Sequence, residues 1–341
     1  MSVMLIVVIL TALFFDFSNG QHDASGAVGP VVATRIMRPW PAIIMCSFFN
    51  FIAFFVYGLH VAGTIGGGLV VASSITLPVI WATLVSAILW NIITLKFGIP
   101  SSSSHALVGS LIGAVLISSG PHDIKWLGLL PIIIAIFISP MLGMIVSLIV
   151  SFLLSWFLRK AHYMWINKYS RIFQIISCAS MSLAHGGNDA QKTMGIIFLA
   201  LISEHIVPSN GHIPLWVVLC CQSAMALGML CGGRAILHTM GSGITKLQPW
   251  QGFTAQTSAS MVLSLATSLG IPVSSTHTIT GALAGVGSSR SLGFVRWKML
   301  RRIFISWLIT LPLSALFAMI ITIIVNVTYL AMNNGVLRDD R

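Results

Sequence analysis

Apolar residues follow one another along most of the chain, in runs near the roughly 20 residues that a bilayer-crossing helix needs, with short polar stretches between them. The two-residue alternation of a half-buried strand is absent. Backbone in hydrocarbon must satisfy its own hydrogen bonds, so these runs predict helices, and roughly ten membrane-embedded ones fit the length available. The first run, Val3 to Phe15, has neither a basic leading segment nor a small-residue cleavage pattern, so it is expected to remain in the mature protein.

The polar interruptions repeat. "GIPSSSSHALVGSLIG" begins at Gly98 and "GIPVSSTHTITGALAG" begins at Gly270, 172 residues later. Upstream of each lies a second pair, "NGQHDASGAVG" from Asn19 and "HGGNDAQKTMG" from His185, which match at Gly20/Gly186, Asp23/Asp189, Ala24/Ala190 and Gly29/Gly195. Two motifs recurring in one order indicate a duplicated chain. The first repeat is expected over 1–160 and the second over 172–341, with 161–171 as a basic cytoplasmic linker. In each later motif a helix is expected to end at the glycine, proline forbids its continuation, and the serines start a new helix shorter than a full span. The expected fold is thus an all-α polytopic membrane protein of two inverted repeats, with broken helices and re-entrant hairpins whose tips lie inside the membrane.

Composition agrees: 56% of the residues are hydrophobic and 7% charged, against about a quarter charged in soluble domains. The net charge of +11 does not signal nucleic acid. The bases fall at segment ends, in clusters at Arg35/Arg38, at Arg159, Lys160, Lys168 and Arg171, and from Arg290 to Arg302, which by the positive-inside rule marks a cytoplasmic face. The five cysteines lack ligand spacing and read as small core residues.

Helices that begin in Ser102, Ser103 and Ser104 and in Ser274, Ser275 and Thr276 offer backbone N–H groups, a positive dipole end and hydroxyl donors, which together make an anion site without a lysine. The competing reading is that the serines only cap two helices. Of the seven acids, Asp123, Glu204, Asp339 and Asp340 fall in polar punctuation. Asp16, Asp23 and Asp189 lie within or beside apolar runs, where an ionisable group is costly and marks an ion or proton path. Asp23 and Asp189 each follow a glycine expected to break the helix. A carboxylate, unwound carbonyls and an amide oxygen from Asn19 or Asn188 then suit sodium, and a buried carboxylate alone suits a proton. His22, His105, His185 and His277 are expected to satisfy broken backbone rather than to bind a metal, and Lys96 and Lys192 to snorkel toward the interface.

Read in order, "NGQHDASGAV", "FFNFIAF", "FGIPSSSSHALVGSLIG", "AHGGNDAQKTMGI" and "GIPVSSTHTITGALAG" resemble the motifs of the PiT family of inorganic phosphate transporters, in its bacterial low-affinity branch. The resemblance spans essentially the whole chain. It implies a multi-pass transporter of the bacterial inner membrane, not an enzyme, usually a homodimer, that moves inorganic phosphate with a cation and carries no cofactor. It assigns phosphate binding to Ser102, Ser103, Ser104, Ser274, Ser275 and Thr276, and cation coupling to Asp23 and Asp189 with Asn188 alongside. Gly26 stands where the family has an amide, and Asn50 where relatives have an acid. Those two departures favour protons over sodium. Phosphate entering as a metal complex, transport of another oxyanion such as sulfate, and an intramembrane Ser/His hydrolase are the alternatives.

Overall fold

The structure is a computed structural model that describes residues 2–71, 74–208, 211–232 and 243–339. Asp340, expected in the solvated tail, lies outside them. Twelve α-helices occur among the described residues and no strand does. They are α1 (Val3–Ala33), α2 (Pro39–Phe51), α3 (Phe54–Tyr57), α4 (His60–Gly68), α5 (Leu77–Lys96), α6 (Ser103–Ser118), α7 (Trp126–Leu158), α8 (Tyr163–Ser203), α9 (Leu215–Leu230), α10 (Pro249–Ser268), α11 (Ser275–Ser288) and α12 (Trp297–Asp339). By length and composition, five described stretches are apolar enough to cross a membrane: α1, Pro39–Tyr57, α5, α7 and the Trp297–Thr328 part of α12. Leu127, Phe137 and Phe152 on α7 and Ile324 on α12 are among many large apolar side chains left exposed, as a lipid-facing surface requires.

The serine-rich motifs break the helix as the sequence predicts, and the two breaks have the same construction. α5 ends in Gly98 at φ +61° and α10 in Gly270 at φ +69°, a left-handed conformation that favours glycine. The N–H of Ile99 reaches the carbonyl of Thr94 at 2.9 Å, and that of Ile271 reaches Ala266 at 2.9 Å, while Gly98 and Gly270 bond to Leu95 and Thr267. This pair of bonds is the Schellman closure of a helix C-terminus. Pro100 and Pro272 follow, and then Ser102 and Ser274 start α6 and α11 by accepting the N–H of His105 and of His277. α6 and α11 are only 16 and 14 residues long.

The acidic motifs do not break. α1 runs unbroken through Asp23 and α8 through Asp189, so the expected unwound carbonyls are absent there. The glycines serve close packing instead. A Cβ at Gly20 would meet the backbone of Met225 on α9, and one at Gly186 would meet Asn50 on α2. Most of the basic 161–171 stretch is likewise helical, since α8 starts at Tyr163.

Neither half of the chain packs as a body of its own. α6 lies along α12, whereas α11 lies along α7. Gly109 and Gly113 press on the backbone of Leu311 and Ala315, and Gly281 and Gly285 press on that of Pro140 and Met144. Small residues permit this approach, on which helix association in lipid depends. Pro140 in α7 and Pro312 in α12 are 172 positions apart, the spacing of the serine motifs. α1 and α8 run antiparallel: Ser2 bonds Glu204 at one end (2.8 Å), and Thr34 bonds Gln174 at the other (3.0 Å). That second contact puts Arg35 and Arg171, both exposed, at one end of the molecule.

Candidate functional site

On α8, His185, Asp189 and Lys192 are spaced four and three residues apart and share one helix face; on α1, Asn19, Asp23 and Gly26 hold the matching places. Asp23, His185, Asp189 and Lys192 are all at most 5% exposed. His185 Nε2 lies 3.0 Å from Asp189 Oδ2 and 3.8 Å from Asp23 Oδ2. Its other ring nitrogen faces the Asn50 amide nitrogen at 3.0 Å. Nε2 thus lies between the two carboxylates.

Both serine-rich tips reach this cluster. Ser103 donates to Asp23 Oδ2 at 3.2 Å, and its counterpart Ser275 donates to Asp189 Oδ2 at 2.6 Å. The next hydroxyl of each tip crosses to the other half. Thr276 donates to Asp23 Oδ1 at 3.0 Å, and Ser104 accepts from Lys192 Nζ at 2.5 Å. Lys192 also pairs with Asp189 Oδ1 and donates to the Val273 carbonyl at 2.8 Å. Four of the six hydroxyls read from the sequence therefore meet around two carboxylates and an ammonium. The remaining two, Ser102 and Ser274, cap their helices. The capping reading thus holds for one residue of each tip and fails for the next two.

The amides stand aside from the carboxylates. Asn188 donates to Thr267 Oγ1 at 2.9 Å and to the Ile271 carbonyl, and its oxygen and that of Asn19 are buried without a hydrogen-bond partner among the described residues. His22 lies 3.2 Å from Asp23 and is held on its other side by Thr94 and Ser101. Asp16, one of the three acids in apolar surroundings, takes a bond from Thr193. The histidines do not satisfy broken backbone at the acidic motifs, since that backbone is intact; His22 and His185 serve carboxylates. His105 and His277 meet edge to face with ring centroids 4.6 Å apart, and His277 stacks on Trp307. Ser104 and His105 are not paired, as a nucleophile and its base would have to be.

Lys192 is the residue that the sequence reading misplaced. It does not snorkel, whereas Lys96 is exposed as expected. A lysine three residues after a buried acid on one helix is positioned to neutralise it, and that spacing was the available signal. The expectation of no metal-ligand set also left out a grouping that spans the halves. One ligand atom each from Asp23, His185 and Asp189 lie within 4.8 Å of one another, so the three can take a cation. Chemically, the cluster offers two negative charges, one fixed positive charge, a histidine and four hydroxyls at two helix N-termini. Such a set can receive an anion only together with positive charge.

Comparison with known proteins accords with this chemistry. The model of the Phosphate transporter family matches residues 19–318. A probable low-affinity inorganic phosphate transporter of Rhizobium meliloti (strain 1021) is 50% identical over 314 residues, covering 92% of this chain and 94% of that one. A protein of the same description from Bacillus subtilis (strain 168) is 37% identical over 331 residues, covering 96% and 98%. Among solved structures, the sodium-dependent phosphate transporter superimposes with a TM-score of 0.86 at 24% identity, over 96% of this chain and 100% of that one, which shows a shared fold. The relatives are permeases rather than hydrolases, so the chain is a membrane transporter and not an enzyme, and it belongs to the phosphate transporter family.

Proposed function

We propose that the chain carries inorganic phosphate across a bacterial inner membrane in symport with a cation, protons favoured over sodium, by alternating access around the Asp23–His185–Asp189 cluster. The observation that carries this reading is the convergence of Ser103, Ser104, Ser275 and Thr276 on that cluster. Phosphate settles between the two tips, where hydroxyls that now serve carboxylates and lysine turn to its oxygens and the N-termini of α6 and α11 favour its charge. Two carboxylates against one ammonium leave the site negative, and burying a further anion there without compensation is prohibitive. The incoming cation supplies the compensation, and this is the physical basis of coupling. Gly26 and Asn50 remove oxygens that a sodium shell would use, which supports the proton. A protonated phosphate can donate to Asp23 or Asp189 and sulfate cannot, which favours phosphate between the two oxyanions.

Two repeats, 1–160 and 172–341, in inverted orientation are part of the same proposal. The antiparallel course of α1 and α8 and the matched pairings of α6 with α12 and α11 with α7 support it. α6 and α11 then serve as re-entrant arms, and rocking of the packed unit of α5, α6 and α12 against that of α7, α10 and α11 opens the site to each side in turn. In this reading Asp23, His185 and Asp189, whose ligand atoms lie within 4.8 Å of one another, also ligate a divalent ion that arrives with phosphate as cargo, and the working unit is a homodimer. The test is uptake of radiolabelled phosphate into proteoliposomes with proton and sodium gradients imposed separately. A proton gradient alone should drive accumulation, with a large excess of sulfate competing weakly. Accumulation driven by sodium alone would reverse the choice of ion, and no uptake under either gradient would reject symport.

A further inference from the structure

We infer that the ammonium of Lys192 is a tethered cation, filling in the second half of the chain a place otherwise built for a metal cation of the sodium type. The inference rests on the symport proposed above only in the role that it gives the site, and the binding measurement below does not depend on transport.

The place is defined by its oxygens. Lys192 Nζ pairs with the Asp189 carboxylate and donates to the Ser104 hydroxyl and the Val273 carbonyl. A carboxylate, a hydroxyl and a backbone carbonyl from three separate segments are the hard donors that sodium takes, here at α8, at the tip of α6 and in the turn before α11. An ammonium has three N–H groups, and all three are used. Nothing of the group is left for solvent, since the residue is 3% exposed. Lysine brings a compact point charge to a spot that asks for one.

The other half of the chain supplies the internal comparison. By the repeat, Lys192 corresponds to Gly26, Asp189 to Asp23 and Ser104 to Thr276. In the first half no side chain stands between carboxylate and hydroxyl, and Thr276 bonds Asp23 directly at 3.0 Å. In the second half Lys192 stands between Ser104 and Asp189. The molecule thus has two equivalent carboxylate places, of which one is permanently filled and the other exchanges its cation. Lys192 thereby sets how many free cations accompany each phosphate. In the first place Thr276 closes directly on Asp23, which suits a proton, whereas removing the Lys192 side chain leaves the Asp189 carboxylate, the Ser104 hydroxyl and the Val273 carbonyl around a gap that should take sodium.

The test uses the purified full-length protein in detergent without phosphate, melted in sodium chloride, potassium chloride or choline chloride at one ionic strength. Lys192→Ala should gain a saturable, sodium-specific rise in melting temperature on the order of a few degrees beyond any response of the wild type. The neutral pair Asp189→Asn/Lys192→Gln keeps shape and removes both charges, and it should gain none. If Lys192→Ala is too unstable to purify in choline, sodium in the extraction buffer should rescue its yield. In proteoliposomes, Lys192→Ala should carry one more sodium ion per phosphate than the wild type, read with labelled sodium. A Lys192→Ala protein that melts alike in all three salts overturns the inference, as does one recovered in neither sodium nor choline while the neutral pair is recovered. A weakened phosphate Km with no sodium response also overturns it, and makes Lys192 a direct partner of the anion.

Discussion

Removing one hydroxyl from each tip probes whether the two tips hold one anion. Ser103 and Ser275 are buried, and a serine-to-alanine change leaves almost no cavity. Each hydroxyl serves a carboxylate, so its contribution to phosphate binding is the difference between two bonds. Ser275 gives up a short bond to Asp189, 2.6 Å, and Ser103 a longer one to Asp23, 3.2 Å. A charge-assisted hydrogen bond contributes about 1.5–3 kcal/mol, and 1.4 kcal/mol is a factor of ten, so the upper limit for either residue is roughly a hundred-fold. The weaker competing bond leaves Ser103→Ala nearer that limit, with phosphate Km raised roughly ten-fold or more, and Ser275→Ala raises it roughly three- to ten-fold. Because both touch one ligand, the double mutant should depart from additivity by at least about 0.5 kcal/mol. Asp23 retains Thr276 and His22, and Asp189 retains His185 and Lys192, so melting temperatures should change little. Uptake kinetics and detergent melting on the three proteins supply both numbers. A normal Km in both single mutants would refute the shared site, and an effect confined to one half would reduce it to one tip.

Ser102→Ala and Ser274→Ala remove the oxygens that cap α6 and α11, so each should lower stability by about 1 kcal/mol in thermal melts, and a raised phosphate Km in the surviving protein would make the same hydroxyls ligands as well. Gly285→Val places a branched side chain against the Met144 backbone and should cost about 1–3 kcal/mol by prising α11 from α7, with Gly113→Val doing the same between α6 and α12. A cysteine in place of the exposed Trp165, with Cys231 replaced, should react with an impermeant thiol reagent in inverted vesicles and not in intact cells; labelling from outside would reverse the assigned orientation.

The serine motifs were legible because every step of their construction is local. Glycine for a left-handed residue, proline to stop the helix and serine to cap the next one are all choices made within a few positions, and they appear in the structure at Gly98 to Ser102 and Gly270 to Ser274. The acidic motifs were misread where local cues were ambiguous. Gly20 and Gly186 looked like helix breakers, but a glycine in a helix permits either a break or a close neighbour, and only the tertiary arrangement of α2 and α9 decides between them. Lys192 was lost for a similar reason. Snorkelling depends on whether an interface lies within reach, and the three oxygens that hold the ammonium come from segments up to 88 residues away in the chain. Pro140 and Pro312 carry the same 172-residue spacing into α7 and α12, but the residues around them are apolar and interchangeable, so that pairing has no flanking signal in the sequence.

The central claim is that Asp23 and Asp189 belong to one coupled site, and the steady-state phosphate accumulation ratio of Asp23→Asn and Asp189→Asn in proteoliposomes with an imposed cation gradient tests it most directly. Each asparagine keeps the shape while removing the charge that a cation must balance; at Asp23, where Ser103 and Thr276 donate to different oxygens, one hydroxyl turns to accept from the new amide N–H. Both variants should insert normally and bring phosphate no further than equal concentrations on the two sides. Accumulation at the wild-type level with an intact gradient requirement, in either variant, would contradict the account.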